Sequence, residues 1–122
     1  MFYKELYVYQ IAVELETGLF RLLSIIPLDW KIEQIKQIKR SSSSISANIV
    51  EGYGKRYYPK DFIRFLYISL GSSDETQHHL RILYNKQCIN QERFQYFEKK
   101  YHNLSVKILN FIKYLKKKNN IQ

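Results

Sequence analysis

The sequence predicts an all-α protein, an antiparallel up-down-up-down four-helix bundle that forms a single domain over residues 1–122. Apolar side chains recur at alternating steps of three and four residues through four long segments. The links between these segments are short, as in antiparallel bundles. The chain has only four glycines and two prolines, and neither type is clustered into a linker. These observations predict one bundle with one core.

The first predicted helix runs from Tyr3 to Ile26. Its apolar seam is a heptad pattern sustained for nearly three repeats, at Val8, Ala12, Leu15, Leu19, Leu22 and Ile26. The apolar arc is widened by Leu6, Ile11, Phe20 and Leu23. Pro27 ends this helix, and Asp29 is the predicted N-cap of the next one.

The second predicted helix runs from about Trp30 to Tyr53, with one face formed by Ile38, Ser42, Ile45 and Ile49. Gly52 and Gly54 bracket its last residue and are predicted to supply a left-handed C-terminal cap. A run of four serines, residues 41–44, indicates a close helix crossing that needs small side chains. The alternative is a low-complexity linker, against which the isoleucine spacing continues through the serines.

The third predicted helix runs from Pro59 to about Lys86, and Asn90 is the predicted cap of the fourth. The third helix has the seam Phe62, Leu66, Ser69, Ser73, Thr76, Leu80 and Leu83. The fourth has the seam Phe94, Phe97, Tyr101, Leu104, Ile108, Phe111 and Leu115. The third helix also has apolar residues outside its seam, at Phe65, Ile68 and Leu70. They predict a second buried face on this helix, which another subunit would cover most simply. The final residues, 116–122, are predicted to fray.

The second and third helices predict three contacts where they cross. In an antiparallel pair whose turn is centred between Tyr57 and Tyr58, residues at one level have numbers that sum to about 115. The predicted pairs are Ser44 with Gly71, Glu51 with Arg64, and Arg40 with Glu75. The first would be a small-residue contact, and the other two would be charge pairs; alternatively all four charges face solvent.

The segment from residue 40 to residue 75 carries a motif. It combines an arginine, a Ser-Ile pair, Asn-Ile, Glu-Gly, a basic turn, and then phenylalanines followed by Gly-Ser and a glutamate. The matching positions are Arg40, Ser44, Ile45, Asn48, Ile49, Glu51, Gly52, Phe62, Phe65, Leu66, Gly71, Ser72 and Glu75. On these residues the chain resembles the small bacterial four-helix-bundle proteins encoded in intervening sequences of 23S ribosomal RNA genes. Ser69 stands where alanine is usual.

The resemblance implies a homo-oligomeric ring, commonly a pentamer, and no enzymatic activity. A distant relative of that family is the accessory protein of diversity-generating retroelements, which binds a reverse transcriptase and nucleic acid. The resemblance therefore implies nucleic acid, and a protein such as a reverse transcriptase, as candidate partners.

The net charge of +9 is unevenly distributed along the chain. Residues 1–30 carry two basic and four acidic side chains, whereas residues 91–122 carry eight basic and two acidic ones. This asymmetry fits either a surface that binds a polyanion or a head-to-tail contact between subunits.

Two groups of cations are candidate nucleic-acid contacts. In the turn between the second and third helices, Lys55, Arg56 and Lys60 alternate with tyrosines, a combination suited to phosphates and unpaired bases. The fourth helix adds Lys99, Lys100, Lys107, Lys113, Lys116, Lys117 and Lys118. In both places the alternative is an ordinary solvated surface.

The sequence predicts no metal, cofactor or catalytic site. Glu75 and His78 form an E-x-x-H pattern that occurs in di-iron bundles, but the second such motif that these sites need is missing. Cys88 is the single cysteine, so no disulfide forms within the chain. The first residues resemble neither a signal peptide nor a membrane span, so we expect a cytoplasmic protein with no membrane role.

Two functional hypotheses follow from the sequence. The first is a non-enzymatic, ring-forming basic bundle that binds RNA or DNA non-specifically. The alternative is a scaffold that docks a nucleic-acid enzyme such as a reverse transcriptase.

Overall fold

The computed structural model describes residues 2–27 and 32–122, and four α-helices account for most of them. A short 3-10 helix, Tyr3–Glu5, precedes them. The helices are α1 (Tyr7–Ser24), α2 (Ile32–Tyr53), α3 (Pro59–Asn85) and α4 (Gln91–Lys118). The predicted all-α four-helix class is confirmed.

Neighbouring helices are antiparallel, because contacting residues follow in reverse order along each pair. On α2 and α3, the Ser41 hydroxyl lies 2.9 Å from that of Thr76, and the Ser44 hydroxyl lies 2.9 Å from that of Ser72. The same reversal holds for α1 and α2, where Glu16 contacts Ser46 and Phe20 contacts Lys39. It holds for α3 and α4, where Tyr84 contacts Phe94 and Tyr67 contacts Lys116. It also holds for α1 and α4, where Tyr7 contacts Lys107 and Gly18 faces Phe97. The bundle therefore runs up, down, up, down.

The predicted seams form the core, with two differences. All of the α1 and α3 seam positions are buried, as are Ile38, Ser42, Ile45 and Ile49 on α2. Phe20 was predicted to widen the α1 arc, but its side chain is 57% exposed. On α4, Ile112 is buried and Phe111 only half-buried, since a 3.6-residue helix drifts away from a strict heptad over its length.

The start of α1 differs from the prediction. The helix begins at Tyr7 rather than Tyr3, because Leu6 is in an extended conformation and separates it from the preceding 3-10 turn. A hydrogen bond of 3.0 Å from the Gln10 side-chain amide to the Lys4 carbonyl joins the two. The helix also ends at Ser24, although Ile26 is still buried.

The remaining helix boundaries largely match their predictions. The predicted cap Asp29 and the predicted start at Trp30 lie outside the described residues. Pro59 opens α3 as predicted. Asn90 caps α4, because its side-chain oxygen accepts a hydrogen bond of 2.8 Å from the Arg93 amide.

A layer of buried hydroxyls fills the centre of the bundle. The serine run belongs to a continuous α2, so the linker alternative is wrong. Ser69 donates a 2.7 Å hydrogen bond across the interface to the Ile45 carbonyl. Ser73 donates to the Tyr101 carbonyl on α4 at 3.2 Å. Because these hydroxyls have partners, small polar side chains can be buried there and the helices can approach closely.

The helices α2 and α3 approach each other closely at Gly52. A Cβ atom placed on Gly52 would lie 2.9 Å from the Phe65 Cβ atom and 3.2 Å from the Phe62 carbonyl oxygen. Neither Gly52 nor Gly54 has a positive φ, so the predicted left-handed cap is wrong. Instead, hydrogen bonds such as that from the Lys55 amide to the Gly52 carbonyl, 2.9 Å, continue the helix into a compact turn. Gly52 is required for its lack of a side chain.

Two of the three predicted α2–α3 contacts are wrong. Arg40 and Glu75 do form an ion pair, as predicted. Gly71 faces away from α2, with no atom within 4 Å of a Cβ atom placed on it, and Ser44 contacts Ser72 instead. The predicted Ser44–Gly71 contact fails because Gly71 and Ser72 project about 100° apart around α3.

The predicted pair between Glu51 and Arg64 is also wrong. No ion pair joins these two residues, both of which belong to the described part of the chain and are exposed. The Arg64 guanidinium instead stacks over the Phe65 ring, 4.5 Å from its centre. Stacking on a neighbouring ring retains more water around the guanidinium than a buried ion pair would.

The C-terminal residues are ordered by a cap, so the predicted fraying is wrong. Asn120 takes a left-handed conformation with φ of 56°. The Ile121 amide then donates a 2.8 Å hydrogen bond to the Lys116 carbonyl, and the Ile121 side chain packs on the core. This arrangement is a Schellman cap, which satisfies the last carbonyls of α4.

One buried polar group has no partner among the described residues. The Tyr101 side chain is fully buried, and its hydroxyl makes no hydrogen bond. Burial, reinforced by the negative charge of Glu16, raises the pKa of Tyr101 far above its usual value, so the hydroxyl stays neutral. The pKa of Glu16 is itself raised by burial, and the hydrogen bond from Ser46 offsets this only in part.

We predict that Gly52→Ala destabilises the fold by about 1–3 kcal/mol, because the added methyl group meets backbone on α3 and the helices must separate. Gly54→Ala is the matched control: an added Cβ atom there meets nothing closer than 3.4 Å. Urea unfolding of both variants measures the difference. Equal effects would show that the helices are not in tight contact at Gly52.

We predict that Tyr101→Phe stabilises the fold by about 1 kcal/mol, because it removes a buried hydroxyl without a hydrogen-bond partner and keeps the ring. Thermal and urea unfolding of the variant measure this change. A loss of stability would contradict the prediction, since it would mean that the hydroxyl is hydrogen bonded in solution.

Candidate nucleic-acid interface

The two predicted groups of cations meet at one end of the bundle. The α2–α3 turn lies at this end, and α4 returns to it because the helices alternate in direction. Tyr58 and Lys60 line a shallow cleft together with Asn119 and Ile121 from the end of α4. The Lys116 ammonium also donates a 2.9 Å hydrogen bond to the Tyr67 hydroxyl on α3. Segments about sixty residues apart in the sequence therefore form one surface.

We name this surface the basic end. It consists of Lys55, Arg56, Lys60, Lys113, Lys116, Lys117 and Lys118. None of these side chains is in an ion pair within residues 2–27 and 32–122. Asp61 is the acidic residue of the cleft. The positive charge of the basic end is therefore free to act on a ligand.

Two tyrosines hold Arg56 of the turn in place. The Arg56 guanidinium lies between the Tyr53 and Tyr57 rings, 4.3 and 4.8 Å from their centres. It also donates a 3.1 Å hydrogen bond to the Tyr53 carbonyl. Tyr57 and Tyr58 are 80% and 70% exposed, and both are available to stack on a ligand. The turn therefore presents fixed positive charge beside open aromatic faces.

The end of α4 repeats this combination. The Lys116 ammonium lies 5.2 Å from the centre of the Tyr67 ring, and that of Lys118 lies 6.0 Å from the centre of the Tyr114 ring. Lysines in the last turn also interact favourably with the helix dipole, so part of this charge stabilises α4 itself.

Three of the predicted lysines lie away from the basic end. Lys99 is on the opposite half of α4, in a shallow depression beside Gln77 and Glu98. Lys100 and Lys107 face the groove between α1 and α4. The structure therefore divides the predicted α4 lysines between different surfaces.

The motif residues of α2 and α3 hold the two helices together. Asn48 donates to the Ser44 carbonyl at 2.8 Å and to its hydroxyl at 2.9 Å, and Ser44 in turn contacts Ser72. The Ser44–Ser72 contact lies between the two helices, whereas the bonds from Asn48 stay within α2 and orient Ser44. The structural role predicted for Ser44, Asn48 and the other motif residues stays a prediction; these others are Arg40, Glu51, Gly52, Arg64, Gly71 and Glu75.

Glu75 is the centre of a polar cluster on the same helix pair. It bonds Arg40 on α2 and accepts a 3.1 Å hydrogen bond from His79, whose other ring nitrogen lies 2.9 Å from the Gln34 amide. Partial burial alone would raise the pKa of Glu75, but the bond from His79 and the charge of Arg40 together lower it below its usual value.

The E-x-x-H pattern does not form a metal site among the described residues. Glu75 contacts His79 rather than His78, and His78 is exposed. On α4, Glu98 is paired with Arg81 at 2.7 Å. In residues 2–27 and 32–122, no three His, Cys, Asp or Glu side chains are grouped closely enough to hold a metal ion.

Sequence reasoning missed the pairing of lysines with exposed tyrosines on α4. Tyr96 with Lys100 and Tyr114 with Lys118 are each four residues apart, and each ammonium lies over its ring. The (i, i+4) spacing could have revealed both pairs. The pairs across helices, such as Lys116 with Tyr67, had no signal in the sequence because they depend on how α3 and α4 are rotated.

No helix within the described parts of the chain is long and apolar enough to span a membrane.

Comparisons with known proteins identify a family and a similar solved structure. A family model described as "23S rRNA-intervening sequence protein" matches residues 4–110. A crystal structure from Bacteroides thetaiotaomicron, described as a protein with unknown function from the S23 ribosomal protein family, aligns with a TM-score of 0.78 at 27% sequence identity. The alignment covers 87% of this chain and 98% of that chain. The chain matches no curated protein sequence.

Proposed function

Since the chain belongs to the family of 23S rRNA-intervening sequence proteins, we propose that it is a cytoplasmic, non-enzymatic protein that binds nucleic acid through its basic end. The main support is the convergence of cations from the α2–α3 turn and the end of α4 on one surface. Neutralising phosphates with such side chains releases counterions, which is the main source of non-specific affinity for nucleic acid.

The character of the basic end favours binding without sequence preference. Six of its seven cations are lysines, which act as point charges and not as planar bidentate donors. Exposed rings such as Tyr57 and Tyr58 can stack on any base, because every base has an aromatic face. These properties support binding of single-stranded or locally unpaired RNA or DNA.

The buried hydroxyls support a structural role for the serines rather than catalysis. Ser41 and Ser42 donate to the carbonyls three residues earlier on α2, and Ser69 and Ser73 donate to carbonyls on neighbouring helices. A hydroxyl committed in this way has no base positioned to activate it. The proposal therefore assigns binding and no reaction.

We predict that the triple variant Lys55→Ala/Lys60→Ala/Lys117→Ala weakens binding of an oligothymidylate by 10-fold or more at moderate salt. If all three lysines contact phosphates, the slope of log affinity against log salt falls in magnitude by about 2, at roughly 0.7 per contact for single strands. Fluorescence anisotropy over a salt series measures both quantities.

The matched control is Lys36→Ala/Arg93→Ala/Lys99→Ala, which removes the same charge from exposed residues towards the other end of the bundle. If net charge alone attracts the nucleic acid, both triple variants will lose affinity equally, and the assignment to the basic end is wrong. Binding of the wild type that does not respond to salt would contradict the proposal as a whole.

We also propose that the protein assembles with copies of itself through an exposed face of α3, as the family resemblance implies for a ring. Ile68 is 42% exposed, and Gly71, one turn further along, has no atom within 4 Å of a Cβ atom placed on it. A mid-helix glycine costs about 1 kcal/mol relative to alanine and has no packing role within the single chain. A close contact with another subunit explains both features.

Leu70 was predicted to share this face, but its side chain packs on the protein's own core.

We predict that Gly71→Arg reduces the solution mass to that of one 14.8 kDa chain while the chain keeps its helical circular dichroism, because the new side chain enters open space in the monomer. Light scattering on a size-exclusion column measures the mass. Gln95→Arg, which adds the same charge at an exposed position on α4, should leave it unchanged. A wild-type protein that is monomeric at all concentrations would contradict self-assembly.

A further inference from the structure

A groove of about 750 Å³ runs between α1 and α4. It is separate from the turn between α2 and α3, and the function proposed above does not use it. Its floor is apolar where Gly18 on α1 faces the Phe97 ring, since a Cβ atom on Gly18 would lie 3.7 Å from that ring. Because Gly18 has no side chain, the edge of the largely buried Phe97 ring forms part of this floor.

Two pairs of a tyrosine and a lysine mark the groove. The Tyr7 ring lies under the Lys107 ammonium at 5.8 Å, and the Tyr96 ring lies under the Lys100 ammonium at 5.6 Å. The two rings are 64% and 55% exposed, so most of each remains open to a ligand. Tyr96 and Lys107 are 11 residues apart on α4, about 16 Å at 1.5 Å per residue. The same chemical unit is therefore repeated at two points along the groove.

The groove carries excess positive charge. Arg21, Lys100 and Lys107 line it, against the single carboxylate of Glu14. Both lysines can rotate from their rings to a phosphate, because each has four rotatable bonds and an exposed end. An occupant with negative charge and flat, stackable groups fits this lining.

We propose that the α1–α4 groove binds a short stretch of single-stranded nucleic acid. A single nucleotide would use one tyrosine–lysine pair, whereas a polymer that repeats base and phosphate can use both. At the stacked spacing of about 3.4 Å per nucleotide, 16 Å corresponds to roughly four to five nucleotides. A duplex does not fit, because its bases are already stacked and paired and cannot reach the rings.

Along the axis of α4, the groove lies close to the basic end. Lys107 lies at the groove, and Lys113 lies six residues further along α4, about 9 Å away at 1.5 Å per residue. A strand held at the basic end can therefore extend along the side of the bundle. This inference rests on the proposed function: the basic end would supply affinity for any nucleic acid, and the groove would supply preference for single strands.

The test compares a labelled oligothymidylate with a labelled duplex of the same length, by anisotropy at moderate salt. We expect Tyr7→Leu and Tyr96→Leu each to weaken single-strand binding by about 5-fold, the lower end of the stacking contribution of one base. Duplex binding should change by less than about 2-fold, since leucine keeps the bulk but offers no stacking face. Glu14→Gln should strengthen single-strand binding, because it removes the carboxylate that repels phosphate.

The control is Phe20→Leu, which removes an exposed ring that also lies under a lysine, Lys39 at 5.2 Å, on the side of α1 that faces α2. It should leave both affinities unchanged. If the groove variants bind single strands as the wild type does while the basic-end variant loses affinity for both probes, the groove assignment is wrong and the proposed function stands. If the groove variants instead lower the solution mass, the groove is a contact between copies, and the assignment is likewise wrong.

Discussion

The close packing of α2 against α3 is the contact on which the rest of the structure depends. At Gly52 the helices are too close for any side chain, and further along them small hydroxyls bond across the interface, as between Ser41 and Thr76. These serine and threonine hydroxyls can be buried at little cost because each finds a partner, so the hydrogen bonds and the close approach support one another. Larger apolar residues would fill such an interface without the free-energy cost of burying polar groups, but they would push the helices apart.

This contact fixes the position of the turn and therefore of the candidate site. Because α2 and α3 are held tightly up to Gly52 and Phe62, the intervening residues have little freedom, and Arg56 is stacked between two tyrosines. The alternating helix directions then bring the end of α4 back to the same place. A flexible tail would have to be ordered on binding, whereas the capped end of α4 holds its lysines in position beforehand. The positive surface is therefore a consequence of topology as much as of composition.

Much of the fold could be predicted from the sequence, because helical periodicity depends on neighbouring residues. The seams of α1 and α3, the Asn90 cap and the Arg40–Glu75 pair all follow from spacing and are present in the structure. The rotation of each helix about its own axis does not follow from spacing. Pairing residues at the same height along α2 and α3 therefore predicted that the two helices cross closely. It placed the close contact at Gly71, whereas the glycine in close contact with the opposite helix is Gly52. The candidate site was found in part for the same reason: its cations were identified, but their division between the basic end and the groove needed the helix packing.

The account's central claim is that nucleic acid binds at the basic end, and the most direct measurement is a nuclear magnetic resonance titration of the labelled protein with an oligothymidylate. The account predicts amide shifts at residues 53–60 and 113–121, two segments that adjoin only in the folded bundle, in addition to any along the α1–α4 groove. The amides at the other end of the bundle, residues 86–93, should hardly move. Shifts centred on residues 86–93, or none at saturating oligonucleotide, would contradict it.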